Sequence, residues 1–317
     1  MFQRLKAESV LEAAKRIAPH IRRTRLVSSP ELGRIVGGEV FLKLENEQIT
    51  GSFKLRGALN ALSTLRPESK SKGVVASSAG NHGMGVASAA KTLGIKAKIY
   101  VPRTAPEVKK SGIRSLGAEL DDSQPDYDAA MDAAKAFGKK TGREFINPCL
   151  GDELLAGQGT VALEILEELP ELQSLVVNVG GGGLLGGCAS LLRRQTPHVR
   201  IYGAQSTNTA AMSKSLEANR IVSIDSVPTL ADGLAGQIDD EAFDIGKHSL
   251  DDIVTVTESE IEQAIAWFAT EFSSHVEGAG ACGIAAILRD KLRPETPCAV
   301  VVSGGNIDEA RWKKITE

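Results

Sequence analysis

GVVASSAGNHGMGVASAAKTLGIKAKIYV, residues 73–101, decides the fold class of this 317-residue chain. Its first five residues form a short apolar run that is typical of a buried strand. Residues 81–93 have the helical spacing of small and apolar side chains, and residues 97–101 form a second apolar run. A strand, a helix and a strand at this spacing predict two parallel strands joined by a right-handed crossover.

The same alternation continues along the chain. Further strands are predicted at 40–44, 118–120, 175–179, 199–203, 253–256 and 298–302, and helices at 8–18, 53–65, 106–116, 127–140, 153–169, 258–272 and 278–288. Segments 22–30 and 206–250 have no clear pattern and are predicted to be irregular. The fold class is therefore α/β, with open, mostly parallel sheets flanked by helices.

Composition excludes several classes of function. Thirty-seven Lys and Arg against forty Asp and Glu give a formal net charge of -3, which provides no field for nucleic acid or anionic lipid. The cysteines form no CxxC pair and so predict neither a zinc ribbon nor a disulfide framework. No run reaches the roughly 18 apolar residues of a membrane span. We expect a cytoplasmic protein with no metal site, no nucleic acid and no membrane contact.

GGGGLLGG, residues 180–187, follows a predicted buried strand. Four consecutive glycines allow several backbone N–H groups to converge on one phosphate at the positive end of the following helix. The stretch also fits the GxGxxG pattern of dinucleotide-binding folds. However, the next strand is followed by Ala204 and Gln205, where a carboxylate would be needed to hold a ribose. The sequence therefore predicts a phosphate site without a dinucleotide.

Two more loops follow predicted strands, which is where open α/β sheets bind ligands. SSAGNHG, residues 77–83, opens a helix with free amides that suit a carboxylate or a phosphate, although such a sequence also forms ordinary turns. SGGN, residues 303–306, places a hydroxyl at a strand end and glycines that admit a flat ring, and it too is found in ordinary turns.

GSFKLRGA, residues 51–58, places Lys54 in the first turn of a helix that Ser52 is expected to cap. A lysine near a helix start is often a solvated surface charge, but the neighbours here are glycine, alanine and Phe53, which suit a closely packed site. Poor solvation disfavours the charged form of a lysine, and the neutral amine attacks aldehydes. A reactive lysine, a phosphate loop and a hydroxyl beside a ring together suggest pyridoxal 5'-phosphate.

The chain also resembles the threonine/serine dehydratases and serine racemases of the fold type II pyridoxal-phosphate enzymes, whose fold is tryptophan synthase beta-like. The similarity runs from about Arg25 to Asn306 and rests on seven motifs in order: KLENEQITGSFKLRGA (43–58), SSAGNHG (77–83), GQGT (157–160), GGGGL (180–184), ADG (231–233), VEGAGA (276–281) and SGGN (303–306). It implies two sheets, with a small mobile domain of residues 71–148 inserted into a large cofactor-binding domain of residues 1–70 and 149–317.

The resemblance also implies roles for individual residues. Lys54 would bind the cofactor covalently and serve as the catalytic base. The other cofactor-binding residues would be Phe53 on the ring, Asn81 at its 3'-hydroxyl, Ser303 at its nitrogen and, on the phosphate, Gly180, Gly181, Gly182, Gly183 and Leu184. The substrate would be surrounded by Ser78, Ala79, Asn81, His82, Gly233 and Glu277.

The reaction implied is elimination of water from L-threonine or L-serine, followed by hydrolysis of the aminoacrylate product to a 2-oxo acid and ammonia. Dehydration of phenylserine or 3-hydroxyaspartate, racemisation of serine and a binding protein without turnover stay open as alternatives. Ala79 replaces the serine with which racemases protonate the α-carbon, and residues 127–130 lack the arginine that is frequent in racemases and hydroxyaspartate lyases. Both departures favour dehydration of threonine or serine.

Further implications concern regulation and assembly. Gln205 and Ala211 stand where eukaryotic-type members carry carboxylates for a divalent cation, so we expect no tight cation site there. Eleven residues follow Asn306, which leaves no room for the regulatory domain of long threonine deaminases. We therefore expect no isoleucine feedback through such a domain. The resemblance implies a homo-oligomer, either a dimer or a tetramer, whose partner is a small β-hydroxy amino acid.

Overall fold

Two β-sheets form the framework of the computed structural model, which describes residues 5–105, 107–225 and 227–317. In chain order the strands are β1 (Leu26–Ser28), β2 (Val40–Leu44), β3 (Val74–Ser77), β4 (Ala97–Pro102), β5 (Glu119–Gln124), β6 (Glu144–Phe145), β7 (Ser174–Asn178), β8 (Arg200–Ser206), β9 (Asp252–Val256) and β10 (Cys298–Val302). The α-helices are α1 (Ala7–Ile17), α2 (Pro30–Val36), α3 (Lys54–Ser63), α4 (Pro67–Lys72), α5 (Asn81–Leu93), α6 (Glu107–Ser115), α7 (Tyr127–Thr141), α8 (Asp152–Glu168), α9 (Gly183–Gln195), α10 (Ala211–Glu217), α11 (Asp240–Ser249), α12 (Glu258–Phe272), α13 (Gly278–Leu288) and α14 (Glu309–Thr316).

The larger sheet has the strand order β1-β2-β10-β7-β8-β9, and its neighbouring strands run parallel except for β1 and β2. Every residue of the central strands β7 and β10 is buried. Alternate residues of these strands enter two separate apolar clusters: Leu175 and Val301 belong to one, and Val176 and Val300 to the other. Helices therefore cover both faces, as the continuous apolar runs predicted.

The smaller sheet has the order β5-β4-β3-β6, and its strands are all parallel. It lies within residues 71–148, the segment expected to form a small domain, but the mobility of that segment stays a prediction. The predicted α/β class with two open, mostly parallel sheets is confirmed. Within the described residues, no helix is both long and apolar enough to cross a membrane.

Several regions differ from the sequence-based expectations, and α4, β6 and α14 are among the elements that were not predicted. Segment 22–30 contains β1 and the start of α2, and segment 206–250 contains α10 and α11. Such short elements escape detection because tertiary packing stabilises them more than their own periodicity does. The cap prediction is wrong: Phe53 is the N-cap residue of α3, and the Ser52 hydroxyl is buried with no hydrogen-bond partner among the described residues. Pro106, the predicted start of α6, lies outside the described residues.

Helix α3 packs closely against α8. A Cβ at Gly157 of α8 would lie 2.5 Å from the carbonyl oxygen of Arg56 and 2.7 Å from the Cα atom of Gly57. Only glycine allows the two backbones to approach this closely. The contact fixes the first turn of α3, and therefore Lys54, relative to α8.

A buried cluster of four charged side chains connects β2, α3 and α8. The Arg56 guanidinium is fully buried and donates to both oxygens of Glu45, at 2.8 and 2.7 Å, and of Glu164, at 2.7 and 2.9 Å. Lys43 Nζ lies 2.7 Å from Glu164, so two cations balance two anions. Burial alone would raise the pKa of the Glu164 carboxyl, but Arg56 and Lys43 hold it below its usual value.

Arg56→Gln is expected to lower the free energy of unfolding by about 3–5 kcal/mol, because it leaves two buried carboxylates with one cation. Urea denaturation at neutral pH measures this. Arg25 pairs with Glu47 at the surface, and the control Arg25→Gln is expected to cost no more than about 1 kcal/mol. Equal losses in the two variants would contradict the assigned importance of the buried cluster.

Candidate active site

The segments that follow β2, β3, β7 and β10 meet in one region. Ser52 forms an isolated bridge with Gly304, and the Phe53 N–H donates to the carbonyl oxygen of Ser303 at 3.2 Å. These bonds join the lysine segment to the loop after β10. Because the carboxyl ends of parallel strands lie at the same edge of a sheet, the glycine loop after β7 opens at that edge too.

Lys54 is the first residue of α3, and its side chain is half-buried. Its ammonium group donates to the carbonyl oxygen of Pro148 at 2.7 Å and lies 4.0 Å from Cys149 Sγ. The same nitrogen is 5.2 Å from the centroid of the Phe53 ring. Among the described residues no carboxylate pairs with Lys54, so its amine is not held in a salt bridge.

Residues 179–182 form the turn between β7 and α9. Gly182 is the N-cap residue of α9 and has a φ of 84°, which favours glycine. A Cβ at Gly181 would lie 2.6 Å from Cys149 Sγ, so the thiol rests directly on the bare backbone. No carbonyl in the described part of the chain accepts from the amides of residues 180–185. These N–H groups lie at the N-terminus of α9, which is the positive end of the helix dipole. Free N–H groups at a helix N-terminus commonly bind an anion.

Asn81 begins α5, and both ends of its carboxamide are hydrogen-bonded. Its Nδ2 donates to Glu277 Oε1 at 2.6 Å, and its Oδ1 accepts from Asn306 Nδ2 at 2.7 Å. Asn306 Nδ2 also donates to the carbonyl oxygen of Thr50 at 2.8 Å. An amide nitrogen carries two hydrogens, so Asn81 keeps one N–H for a ligand.

Glu277 is buried beside two of the glycines that the sequence motifs contain. A Cβ at Gly304 would lie 2.4 Å from Glu277 Oε1, and one at Gly233 would lie 3.9 Å from it. Burial and the negative charge of Asp232 raise the pKa of Glu277 to about 7, although the hydrogen bond from Asn81 lowers it. Burial therefore favours the protonated form of this carboxyl far more than in an exposed glutamate.

Four residues of the SSAGNHG segment after β3 were predicted to surround the substrate, and one of them, Asn81, is described above. His82 is buried, with its Nε2 at 3.0 Å from the carbonyl oxygen of Ile146. Burial and the charge of Lys54 lower the pKa of His82 to about 3. The ring is neutral, and its Nδ1 has no partner among the described residues. Ser78 Oγ accepts from the amide two residues further on at 3.1 Å, and Ala79 adds only a methyl group.

Ser303 stands at the end of β10 and is buried. Its hydroxyl accepts from Asn178 Nδ2 at 3.3 Å and donates to the carbonyl oxygen of Ala279 at 3.4 Å. Both partners are neutral. A ring nitrogen that met this hydroxyl would therefore face a neutral group and no carboxylate.

The sequence interpretation missed Cys149, Asn178 and Asn306 as site residues. Cys149 follows β6, a strand of two residues that no pattern reveals, and recognising it would have placed this segment at a strand end. Asn178 is the polar residue in the apolar run of residues 175–179, which was a usable signal. Asn306 belongs to the quoted SGGN motif but was given no role.

Gln205 is buried, and its side chain is hydrogen-bonded inside the protein. Its Nε2 donates to the carbonyl oxygens of Val179 and Thr209, at 2.9 and 3.1 Å, and its Oε1 accepts from the Ser213 amide at 2.9 Å. Neither Gln205 nor Ala211 brings a carboxylate to this place. The described residues contain no group of three or more His, Cys, Asp or Glu arranged to hold a metal ion.

The family model described as pyridoxal-phosphate dependent enzyme matches residues 17–304. The chain belongs to this family. The L-threonine ammonia-lyase of Thermotoga maritima is 42% identical over 302 residues, which are 95% of this chain and 75% of that protein. Among solved structures, maize serine racemase is similar with a TM-score of 0.93 and 34% identity, over 98% of this chain and 97% of that one. A threonine deaminase from T.th. has a TM-score of 0.89 and 35% identity, over 96% of this chain and 99% of that one.

Pyridoxal phosphate, the cofactor of this family, suits the groups that the site presents. Its phosphate needs several N–H donors, and the amides of residues 180–185 are available at a helix N-terminus. Its aldehyde needs a primary amine, and Lys54 has one that no carboxylate among the described residues neutralises. The donor set therefore fits the chemical groups of the cofactor.

Glu277→Gln is expected to make folding stability less dependent on pH. Folding raises the pKa of this carboxyl from 4.5 to about 7, so the folded protein binds the proton more tightly. The wild type is therefore most stable, relative to the variant, below pH 4.5 and loses this advantage as pH rises through 7. The relative loss is on the order of 3 kcal/mol.

Thermal and urea unfolding of both proteins between pH 4.5 and pH 8 measures this difference. The control is Glu262→Gln, which changes an exposed carboxyl on α12. The prediction fails if the wild type and Glu277→Gln keep a constant stability difference across this range.

Proposed function

We propose that this enzyme eliminates water from L-threonine and L-serine, and that hydrolysis of the resulting enamine consumes one water and releases ammonia, giving 2-oxobutanoate and pyruvate. The observation that carries the proposal is that one site contains two particular groups beside the amides that suit a phosphate. One is the Lys54 amine, which pairs with no carboxylate among the described residues. The other is the Ser303 hydroxyl, whose partners are neutral. Support also comes from the L-threonine ammonia-lyase and the threonine deaminase that the chain resembles over nearly its whole length.

In this proposal each part of the cofactor has a partner. Lys54 holds it covalently, and the amides from Gly180 to Leu184 bind the phosphate. Phe53 packs on the ring, Asn81 donates its remaining N–H to the 3'-hydroxyl, and Ser303 faces the ring nitrogen. When bound, pyridoxal phosphate withdraws electrons from the α-carbon of the amino acid.

The residues of the chain then orient the substrate and move its protons. The loop of residues 78–82, at the N-terminus of α5, binds the substrate carboxylate with its amides. The Lys54 amine would take the α-proton as a general base, and this proton together with the β-hydroxyl would be lost as one water molecule. The Ser303 hydroxyl, whose partners are neutral, would not supply a charge to stabilise a protonated ring nitrogen, and this would favour elimination over transamination.

Serine racemisation is the second candidate, because maize serine racemase has a very similar structure. Racemisation needs a second acid on the opposite face of the α-carbon. Ala79 has no ionisable or hydroxyl group to supply it. Dehydration of another β-hydroxy amino acid would use the same residues and differ only in the side-chain pocket.

We also propose that residues 71–148 close over the substrate as a mobile small domain, against residues 1–70 and 149–317. Lys109 on α6 and Asp232 form an ion pair at 2.9 Å between these parts, and both side chains are partly exposed. Such a pair is weak enough to open and close. The enzyme is proposed to be a dimer or tetramer in the cytoplasm, where its four unpaired cysteines would stay reduced.

Lys54→Ala should abolish the visible absorption of the lysine-bound cofactor and reduce 2-oxo acid release to background. In the wild type, borohydride should remove the same absorption band and block Lys54. The control is Lys91→Ala, an exposed lysine in the last turn of α5. A Lys54→Ala protein that still turned over threonine and serine would rule out the proposed function.

Ala79→Ser should increase racemisation of L-serine relative to dehydration, because it adds a hydroxyl beside the α-carbon. Chiral analysis of the remaining serine and assay of pyruvate give the two rates. Ala79→Val adds volume without a hydroxyl and serves as the control. The assignment of this position is wrong if the unmodified enzyme racemises serine faster than it dehydrates it.

A further inference from the structure

The orientation of the Asn81 carboxamide is decided by two residues that lie far away in sequence. An amide can turn over and exchange its oxygen and nitrogen at little cost unless its neighbours prevent it. Here Glu277 accepts from Nδ2 at 2.6 Å, and Asn306 donates to Oδ1 at 2.7 Å. If the amide turned over, nitrogen would face the Asn306 donor and oxygen would face the carboxyl oxygen of Glu277.

Asn306 is itself fixed. Its Nδ2 also donates to the carbonyl oxygen of Thr50 at 2.8 Å, and a Cβ at Gly51 would lie 2.3 Å from its Oδ1. The side chain is therefore held against the segment that leads into Lys54. Through Asn306, the position of the lysine segment and the orientation of Asn81 depend on each other.

Ionised Glu277 can only accept from Asn81, whereas protonated Glu277 could also donate to a turned-over amide. The Asn306 donor disfavours the turned-over amide in both protonation states, because nitrogen would then face nitrogen. Glu277 borders a cavity of about 190 Å³ whose charged lining residues are Lys109, Asp232, Asp308 and Arg311. Lys109 and Asp232 pair with each other at 2.9 Å. Neither of them is bonded to Asn81, so the direct hydrogen bonds alone set the orientation of the amide.

We propose that Glu277 and Asn306 are positioning residues that lock the Asn81 carboxamide with one N–H directed at the 3'-hydroxyl of the cofactor. This rests on the cofactor contact that the proposed function gives to Asn81. The two residues touch neither cofactor nor substrate in this scheme. They act by excluding the turned-over amide, which would present oxygen to the hydroxyl.

Asn306→Asp tests the proposal directly, because it places an acceptor where Asn81 Oδ1 needs a donor. The Asn81 amide can then satisfy Glu277 or residue 306 but not both, so its orientation is no longer fixed and cofactor affinity should fall about tenfold, the value of one hydrogen bond. The pH titration of the cofactor's visible absorption should shift as well. Affinity is measured by titrating cofactor-free protein with pyridoxal phosphate, and circular dichroism checks folding. Asn306→Ala, which removes the donor without adding an acceptor, is the second variant and should lose less affinity.

The decisive measurement is the same substitution made in an Asn81→Ala background. If Asn306 acts through Asn81, Asn306→Asp should cause no further loss of affinity there. A loss of about tenfold in both backgrounds would overturn the proposal, since Asn306 would then act independently of Asn81. An unchanged affinity and absorption titration in both Asn306 variants would overturn it equally.

A matched control is Asn46→Asp. Asn46 is another asparagine near the site, and it donates to the carbonyl oxygen of His275 at 3.0 Å. It makes no bond to Asn81, so cofactor affinity should not change. Because binding is measured without substrate, a failure to release 2-oxo acid from threonine or serine would count against the proposed function and not against this positioning.

Discussion

The buried ion cluster around Arg56 is the constraint on which the rest of the site depends. Helix α3 begins at Lys54 without a side-chain cap, so the helix start is fixed by Arg56, which binds carboxylates on α8 and just after β2. Burying such a cluster contributes little net stability, but removing one partner is costly. The cluster therefore serves mainly to hold three elements in one arrangement, which keeps the Lys54 amine next to Pro148 and the glycine loop.

The site is electrostatically simple around this lysine. The imidazole of His82 is neutral, Ser303 is a hydroxyl with neutral partners, and burial raises the pKa of Glu277 to about 7. The free amides at the start of α9 add further positive potential. An anionic phosphate is the ligand that balances this arrangement, and the family of pyridoxal-phosphate dependent enzymes uses such a ligand. The fold therefore leaves free N–H donors at the strand ends, and a bound anion can accept hydrogen bonds from them.

Sequence patterns predicted the central strands and most long helices because these segments are buried on defined faces. Burial of one face requires apolar residues at regular intervals, and these intervals are visible in the sequence. The strands that were not predicted share one cause, which is their short length. The strands β1 and β6 have three and two residues, too few for any period, and β6 hid the place of Cys149. The cap assigned to Ser52 failed because that residue forms a bridge with Gly304, a contact across the fold that a local rule does not include.

The sequence by itself determined the α/β class, the lysine and the glycine loop, because apolar periodicity and the freedom of glycine act over a few neighbouring residues. Only the tertiary structure decided which way Asn81 faces, since its partners Glu277 and Asn306 lie 196 and 225 residues away. It also decided the protonation of Glu277 and His82, because desolvation depends on what surrounds a group in space. The segment GSFKLRGA thus identified the reactive amine of Lys54, while the tertiary structure brought Asn81, Glu277 and Asn306 to the same site.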